Sequence, residues 1–234
     1  MSLRSVYVNG LAATIALGAL VIAIVGGPAT SEAGQSVKCF GKNATIVGTK
    51  KSDSGPDSLI GTPGRDVIAG LGGGDNIIGN GGNELICAGE GNDGAVGDAD
   101  SASCFSADEN AGNDKINGGD GHDSLRGCDG NDVIKASDST DSIEGNHGND
   151  KMTGGKGDDR VEGGDGTDEV SGGPDKKGFP SSDAVDGGPG DGDVVTGDIG
   201  ADRVGGGEGV DDSCDGGPGS DADDGGCETT NSIP

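Results

Sequence analysis

Carboxylates recur at every ninth position through the middle of this 234-residue chain. Residues 109–171 divide into seven consecutive blocks of nine: ENAGNDKIN, GGDGHDSLR, GCDGNDVIK, ASDSTDSIE, GNHGNDKMT, GGKGDDRVE and GGDGTDEVS. Each block carries an aspartate two residues before an apolar residue: Asp114, Asp123, Asp132, Asp141, Asp150, Asp159 and Asp168. Carboxylate and carbonyl oxygens are the ligands that Ca2+ prefers, so a repeated aspartate in a polar turn indicates a repeated Ca2+ site.

The elements that position these aspartates follow from the same nine residues. A short period kept in phase over seven blocks is typical of a solenoid. The glycine-rich start of each block predicts a turn with left-handed backbone angles, and the last three residues predict a short strand with its apolar side chain inward. If two blocks make one coil, alternate aspartates stack about 4.8 Å apart. One edge then carries Asp114, Asp132, Asp150 and Asp168, and the other carries Asp123, Asp141 and Asp159.

Stacked carboxylates need a counter-charge. Two unscreened carboxylates about 5 Å apart repel each other by roughly 1 to 3 kcal/mol. A divalent ion held between successive turns changes this repulsion into attraction. The spacing therefore predicts several Ca2+ ions along both edges.

The blocks resemble a known family of repeats. Residues 118–126, 154–162 and 163–171 match the pattern G-G-x-G-x-D-x-U-x, where U is a large apolar residue, at each defined position. This is the nonapeptide of the RTX, or hemolysin-type calcium-binding, repeat family. The resemblance implies an all-β fold, a right-handed parallel β-roll (a β-solenoid) with Ca2+ held between its turns.

Weaker repeats extend the predicted roll over residues 52–224, with insertions at 97–108 and 174–182. Glu84 departs from the aspartate of the pattern, although a longer carboxylate can still bind Ca2+. Near the end, Ser213 and Asp223 stand where an apolar residue belongs, so the roll is expected to fray there. With the central seven aspartates, the predicted metal ligands are Asp66, Asp75, Glu84, Asp93, Asp183, Asp193, Asp202 and Asp211.

The two ends of the chain differ from the repeats. Residues 1–33 are predicted to be a cleaved signal peptide, because an apolar run over residues 11–25 is followed by small residues at the usual cleavage spacing. An uncleaved membrane anchor is the alternative, but a span needs about 20 apolar residues. Residues 34–51 are expected to form an N-terminal cap strand, and residues 225–234 a C-terminal tail.

Composition limits the possible functions. The net charge of −27 repels nucleic-acid phosphates. After residue 33, Val, Ile, Leu and Phe make up about 15% of the chain, too few for an ordinary core. Folding therefore needs free energy from outside the chain, and the repeats indicate that Ca2+ supplies it. Only two histidines are present, His122 and His147, both at turn positions, so no catalytic residues are predicted and the chain is not expected to be an enzyme.

Six cysteines remain after the predicted cleavage, which favours disulfides in an exported protein. Six cysteines allow 15 pairings, and the sequence alone does not choose among them. Proximity in the repeat register favours Cys39 with Cys87, Cys104 with Cys128, and Cys214 with Cys227.

These observations favour a secreted, extracellular protein whose β-roll folds on Ca2+ and serves as a structural or surface-interaction module. Its expected partners are calcium ions and an extracellular or cell-surface molecule, with no nucleic acid and no membrane after cleavage. Two alternatives remain open. One is the orphaned repeat tail of a secreted hydrolase. The other is an adhesive or ice-binding solenoid, which would need a flat threonine ladder where this chain has mixed polar residues.

Overall fold

The structure is a computed structural model that describes residues 5–8, 11–14, 36–49, 56–98, 104, 112–174 and 182–231. Within the predicted signal peptide it describes only an antiparallel backbone pairing of β1 (Ser5–Val8) with β2 (Leu11–Thr14). The rest of that prediction, like most of both insertions, lies outside the described residues. None of the described residues forms a helix long and apolar enough to cross a membrane.

Two parallel sheets form the body of the molecule, after a short antiparallel pair of β3 (Lys38–Cys39) and β4 (Lys42–Asn43). The ten-stranded sheet contains β5 (Ile46–Val47), β7 (Val67–Gly72), β9 (Leu85–Glu90), β11 (Lys115–Asp120), β13 (Val133–Asp138), β15 (Lys151–Lys156), β17 (Glu169–Ser171), β19 (Val194–Thr196), β21 (Ser213–Asp215) and β23 (Thr229–Asn231). The nine-stranded sheet contains β6 (Ser58–Ile60), β8 (Asn76–Ile78), β10 (Gly94–Val96), β12 (Ser124–Asp129), β14 (Ser142–His147), β16 (Arg160–Asp165), β18 (Ala184–Asp186), β20 (Arg203–Gly205) and β22 (Ala222–Gly225).

Successive strands alternate between the two sheets, and each strand pairs in parallel with the strand two places along the chain. Each coil therefore adds one strand to each sheet. This is the predicted parallel β-roll, and the expectation of an all-β solenoid is confirmed.

The core is a thin double row of apolar side chains between the sheets. Each repeat strand up to β21, in either sheet, contributes at least one inward residue that is at most 9% exposed, and β9 and β13 contribute two each. The seven apolar residues predicted from the central blocks all lie in this row: Ile116, Leu125, Ile134, Ile143, Met152, Val161 and Val170. Because each coil buries so little, its turns must also contribute to holding the stack together.

The insertions leave the register of the sheets intact. Equivalent carboxylates are 18 residues apart in the central coils, as for Asp132 and Asp150, but 30 apart for Glu84 and Asp114 and 24 apart for Asp159 and Asp183. The described residues on either side of each insertion therefore keep the register of the roll, and we interpret the insertions as excursions from it.

The last coils require three corrections. Cys214 pairs with Val195 and fills the apolar position, so the turn before β21 holds one more residue than predicted. Asp211 absorbs this residue with a left-handed φ of 67° and is exposed, so the buried Asp212, and not the predicted Asp211, occupies the acidic position of this coil. The predicted tail is also wrong in its first part, since β23 extends the ten-stranded sheet.

The N-terminal segment both begins and covers the roll. Ile46 pairs with Ile68 as the first strand of the ten-stranded sheet, where a cap strand was expected. Cys39 and Ala44, by contrast, pack with Val67 and Leu85 in a separate cluster on the outward side of that sheet. The cap thus covers one face of the first coils as well as their end.

Candidate calcium sites on two carboxylate edges

The acidic residue of each repeat lies in the turn just before a strand, so the acids form two rows. The first edge leads into the ten-stranded sheet and contains Asp66, Glu84, Asp114, Asp132, Asp150, Asp168, Asp193 and Asp212. The second edge leads into the nine-stranded sheet and contains Asp57, Asp75, Asp93, Asp123, Asp141, Asp159, Asp183, Asp202 and Asp221. Every predicted ligand except Asp211 occupies one of these edges, and all of them are buried.

One oxygen of each aspartate has a structural partner in the preceding coil. Asp132 Oδ1 accepts a hydrogen bond from the Asp114 N–H at 2.8 Å, and Asp150 Oδ1 accepts one from the Asp132 N–H at 2.7 Å. The same bond recurs on the second edge, where Asp141 Oδ1 accepts from the Asp123 N–H at 2.8 Å. A charge-assisted bond of this kind fixes the aspartate side chain and links successive coils.

The second oxygen is buried without a donor. No hydrogen-bond partner reaches Oδ2 of the following residues: Asp75, Asp93, Asp114, Asp123, Asp132, Asp141, Asp150, Asp168, Asp193 and Asp221. A buried carboxylate oxygen left unpaired is strongly destabilising unless a cation meets it. Rows of such oxygens are the donor set that Ca2+ binds, so the residues of both edges fit this ion.

In most blocks the first residue is a glycine, which makes room for these oxygens, whereas Ala88 and Ala136 occupy this position in two coils and are fully buried. A Cβ added to Gly145 would collide with Asp150 Oδ2 and with the carbonyl oxygen of Gly163 in the next coil. The missing side chain therefore lets a carboxylate and a carbonyl from adjacent coils approach one another. The sequence predicted left-handed angles in these turns but not this close approach.

Burial changes the acidity of the edge carboxylates. It raises the pKa of Asp132 to about 9, with the Asp114 and Asp150 carboxylates adding to the effect. Burial likewise raises the pKa values of Asp123 and Asp168 to about 7. Without a cation these groups favour the neutral form, and a cation would favour the charged form.

Asp66 differs from the other members of the first edge. Its Oδ2 accepts hydrogen bonds from the backbone N–H of Thr62 at 2.6 Å and from the Thr62 hydroxyl at 2.9 Å. At the other end, Glu228 Oε2 accepts from the Asp212 N–H at 2.7 Å. At each end of the first edge, the edge residue therefore bonds to a protein group outside the repeated acidic positions, Thr62 at one end and Glu228 at the other.

An asparagine ladder runs beside the first edge and was missed in the sequence. The Asn131 N–H donates to Asn113 Oδ1 at 2.7 Å, the Asn149 N–H to Asn131 Oδ1 at 2.7 Å, and the Thr167 N–H to Asn149 Oδ1 at 3.0 Å. These amides fix the outer part of each turn. The signal was present, because asparagine directly precedes the acid at positions 83, 113, 131 and 149.

The two histidines lie on the exposed outer surface of the turns. His122 Nδ1 is 2.9 Å from the carbonyl oxygen of Thr140, and His147 Nδ1 is 2.9 Å from Asp165 Oδ2. Each ring contacts the next coil of its own edge, so both contacts belong to the stacking of turns.

The three disulfides have the pairing favoured by the register: Cys39–Cys87, Cys104–Cys128 and Cys214–Cys227. Each lies where the regular repeat begins, is interrupted or ends.

The parallel roll and its two carboxylate edges define a repeat solenoid whose turns fit Ca2+. The family model of the RTX calcium-binding nonapeptide repeat matches four stretches, residues 60–95, 110–134, 129–161 and 144–175. These parts of the chain are RTX calcium-binding nonapeptide repeats, and the resemblance noted in the sequence is confirmed. The comparisons with curated proteins and with solved structures found no match.

Proposed function

We propose that this chain is a secreted calcium-binding protein whose β-roll folds on Ca2+ and serves as a structural or surface-interaction module. The observation that carries the proposal is the row of buried, donor-free aspartate oxygens on each edge. The RTX repeats fit this reading. The proposed ligands are the buried edge carboxylates, with Asp212 in place of Asp211.

The energetic argument concerns the metal-free chain. Its net charge is −27 and its core is a thin row of small and medium side chains. Ions that bind the stacked coils and not the unfolded chain add their binding free energy to folding. Several ions along two edges therefore give a cooperative switch between a disordered and a folded chain.

The disulfides support export. The three bonds join all six cysteines of the chain. Disulfides persist in oxidising compartments and are rare in the cytosol. Together with the apolar N-terminal run, they favour an extracellular location, where Ca2+ is abundant.

The proposal that this chain is a structural or interaction module is based on the side chains that point outward from the ten-stranded sheet. Along the ten-stranded sheet, Lys115, Val133, Lys151 and Glu169 occupy equivalent outward positions in register. This mixture does not make the flat threonine ladder that an ice-binding surface needs. The RTX roll is a structural module, and we propose that this chain has no catalytic activity and acts by presenting such a face to an extracellular or cell-surface partner.

The test of this function is a count of bound ions and a search for the exported form. Native mass spectrometry of the disulfide-bonded chain should show several Ca2+ per molecule and none after EDTA. Protein recovered from the medium of the producing cells should begin near residue 34. A chain that binds no Ca2+, or that stays inside the cells, would contradict the proposal.

A further inference from the structure

Three buried carboxylates meet where the first excursion leaves the roll. One oxygen each from Glu84, Asp98 and Asp114 lies within 4.8 Å of the other two. Their side chains belong to residues that are 0%, 5% and 1% exposed. Glu84 and Asp114 are neighbours on the first edge, whereas Asp98 comes from outside the repeated acidic positions.

Asp98 lies at the mouth of the first excursion, the point where the inserted residues 97–108 leave the roll. Its Oδ2 accepts a hydrogen bond from the Gly112 N–H at 2.6 Å, where the chain returns to the roll. Its own N–H donates to the carbonyl oxygen of Gly127 at 3.3 Å, in the next coil. The Asp98 side chain therefore joins the departing and returning segments of the excursion, next to the first edge.

The Glu84 carboxylate is buried in the same place. Neither of its oxygens has a hydrogen bond of ordinary geometry, while its backbone N–H donates to Asp114 Oδ1 at 2.9 Å. Its carboxylate lies close to the backbone N–H of Asp66 in the preceding coil and to the carboxylate of Asp114 in the next coil. The glutamate is thus not a neutral replacement of the aspartate in the pattern, because its longer side chain reaches the carboxylate of Asp98.

We propose that Glu84, Asp98 and Asp114 form a calcium site that is distinct from the other edge sites, because the excursion supplies its third carboxylate. Carboxylate count and site rigidity set the affinity of Ca2+ sites. Three buried carboxylates, one more than two stacked edge residues supply, make this the tightest site of the first edge. Its occupancy fixes the mouth of the excursion, while the Cys104–Cys128 disulfide ties the excursion to the roll at a second point. The inference rests on the proposed calcium-binding function.

The test compares Asp98→Asn with Asp100→Asn in the disulfide-bonded chain. Both variants remove one negative charge from the same excursion, and the amide oxygen introduced at position 98 can still accept the Gly112 N–H. Native mass spectrometry at limiting Ca2+ counts the ions retained, and limited proteolysis measures how fast residues 99–111 are cut. Asp98→Asn should retain one ion fewer, weaken the tightest site by about tenfold or more, and speed cleavage. Asp100→Asn should match the unmodified chain in both readouts.

The possible results distinguish a failure of this inference from a failure of the proposed function. If the unmodified chain binds several ions and Asp98→Asn binds as many with the same affinity, the third-carboxylate site is wrong and the edge sites stand. The same result would follow if Glu84 and Asp114 shared a proton instead of an ion. If the unmodified chain binds none, both proposals fail. Should Asp98→Asn not fold at saturating Ca2+, Glu84→Gln carries the same test, since it keeps the side-chain shape and removes one charge.

Discussion

The two oxygens of an edge aspartate have different partners, and this division decides what each substitution does. In Asp150, Oδ1 accepts the Asp132 N–H at 2.7 Å, while Oδ2 is buried without a donor. The first contact links two coils whether or not metal is present. The second oxygen is the one that a cation would meet, so the charge and the acceptor can be removed separately.

We expect Asp150→Asn to lose calcium and to keep the link between coils, whereas Asp150→Ala loses both. The alanine variant should be less stable than the asparagine variant by about 1 kcal/mol, the usual contribution of one hydrogen bond. Ion counting and melting temperature in Ca2+ measure the two effects. Asp175→Asn, in the second excursion, is the matched control. Equal calcium loss in all three variants would mean that total charge, and not stacked coils, governs binding.

The raised pKa values predict opposite pH dependences with and without metal. In the unfolded chain an aspartate has a pKa of about 3.9, whereas burial raises the pKa of Asp168 to about 7 and that of Asp132 to about 9 in the roll. A raised pKa in the folded state stabilises the protonated roll at low pH, and this contribution is lost as the pH rises through those values. In EDTA the chain should therefore be more ordered at pH 5 than at pH 9.

With Ca2+ the sign reverses, because the ion binds the charged carboxylates. Affinity should rise between about pH 6 and pH 9, and calcium added to a weakly buffered sample should release protons. Circular dichroism over this range in EDTA, and a pH electrode during calcium addition, measure the two effects. Order in EDTA that increases with pH, or binding without proton release, would contradict the assigned ligands.

At the scale of the element, turn and strand place different demands on the sequence. The turn leaves little space at its first position, where Gly145 lies against Asp150 Oδ2 and the Gly163 carbonyl. The largest residue found there in the described coils is alanine, at Ala88 and Ala136. The strand needs a single apolar residue, as in β13, where Ile134 is 1% exposed and its neighbour Val133 is 42% exposed. Each requirement can be tested by comparing a substitution at that position with a substitution at a control residue.

Gly145→Ala should weaken Ca2+ binding at the two adjacent turns and lower the melting temperature. The added methyl group collides with two of the oxygens that are meant to face the ion. Gly94→Ala is the control, because the nearest atoms to a Cβ there are 3.9 Å away. Calcium titration by calorimetry, with the melting curve of each variant, gives the comparison. If both substitutions are tolerated equally, the close approach at the turn is unimportant.

Ile134→Ala should reduce the stability of the calcium-loaded roll by about 2 to 5 kcal/mol, since it leaves a cavity in a thin core. Val133→Ala in the same strand should change it by no more than about 0.5 kcal/mol. Denaturant unfolding in excess Ca2+ measures both. Similar losses from the two variants would show that the inward and outward faces have been assigned wrongly.

The sequence predicts the parts of the fold that repeat and misses those that occur once. Ile134 and Asp132 were placed correctly because a nine-residue period fixes which residue is inward and which is at the edge. Asp212 was missed because Asp211 precedes it directly and a one-residue lengthening leaves no mark in a glycine-rich turn. Asp98 was missed because its place beside Glu84 depends on where an irregular excursion leaves the coil.

In the whole molecule, the disulfides and the stacked repeats stabilise different parts of the fold. The disulfides join the cap, the first excursion and the last coil to the roll at Cys87, Cys128 and Cys214. The stretch between Cys128 and Cys214 has no cross-link within it, and here the edge carboxylates follow one another without a protein donor for most second oxygens. We therefore expect metal to have its largest effect in the part of the roll that disulfides leave unrestrained.

The most direct test of a calcium-dependent fold is far-UV circular dichroism of the disulfide-bonded chain, first in EDTA and then with millimolar Ca2+. The spectrum should be that of a largely disordered chain in EDTA at pH 7 and should become that of a β protein with Ca2+. Magnesium should not replace calcium, because Mg2+ demands a tighter octahedral site. A complete β spectrum in EDTA that Ca2+ leaves unchanged would show that the carboxylate edges are held by something other than metal, and would contradict the account.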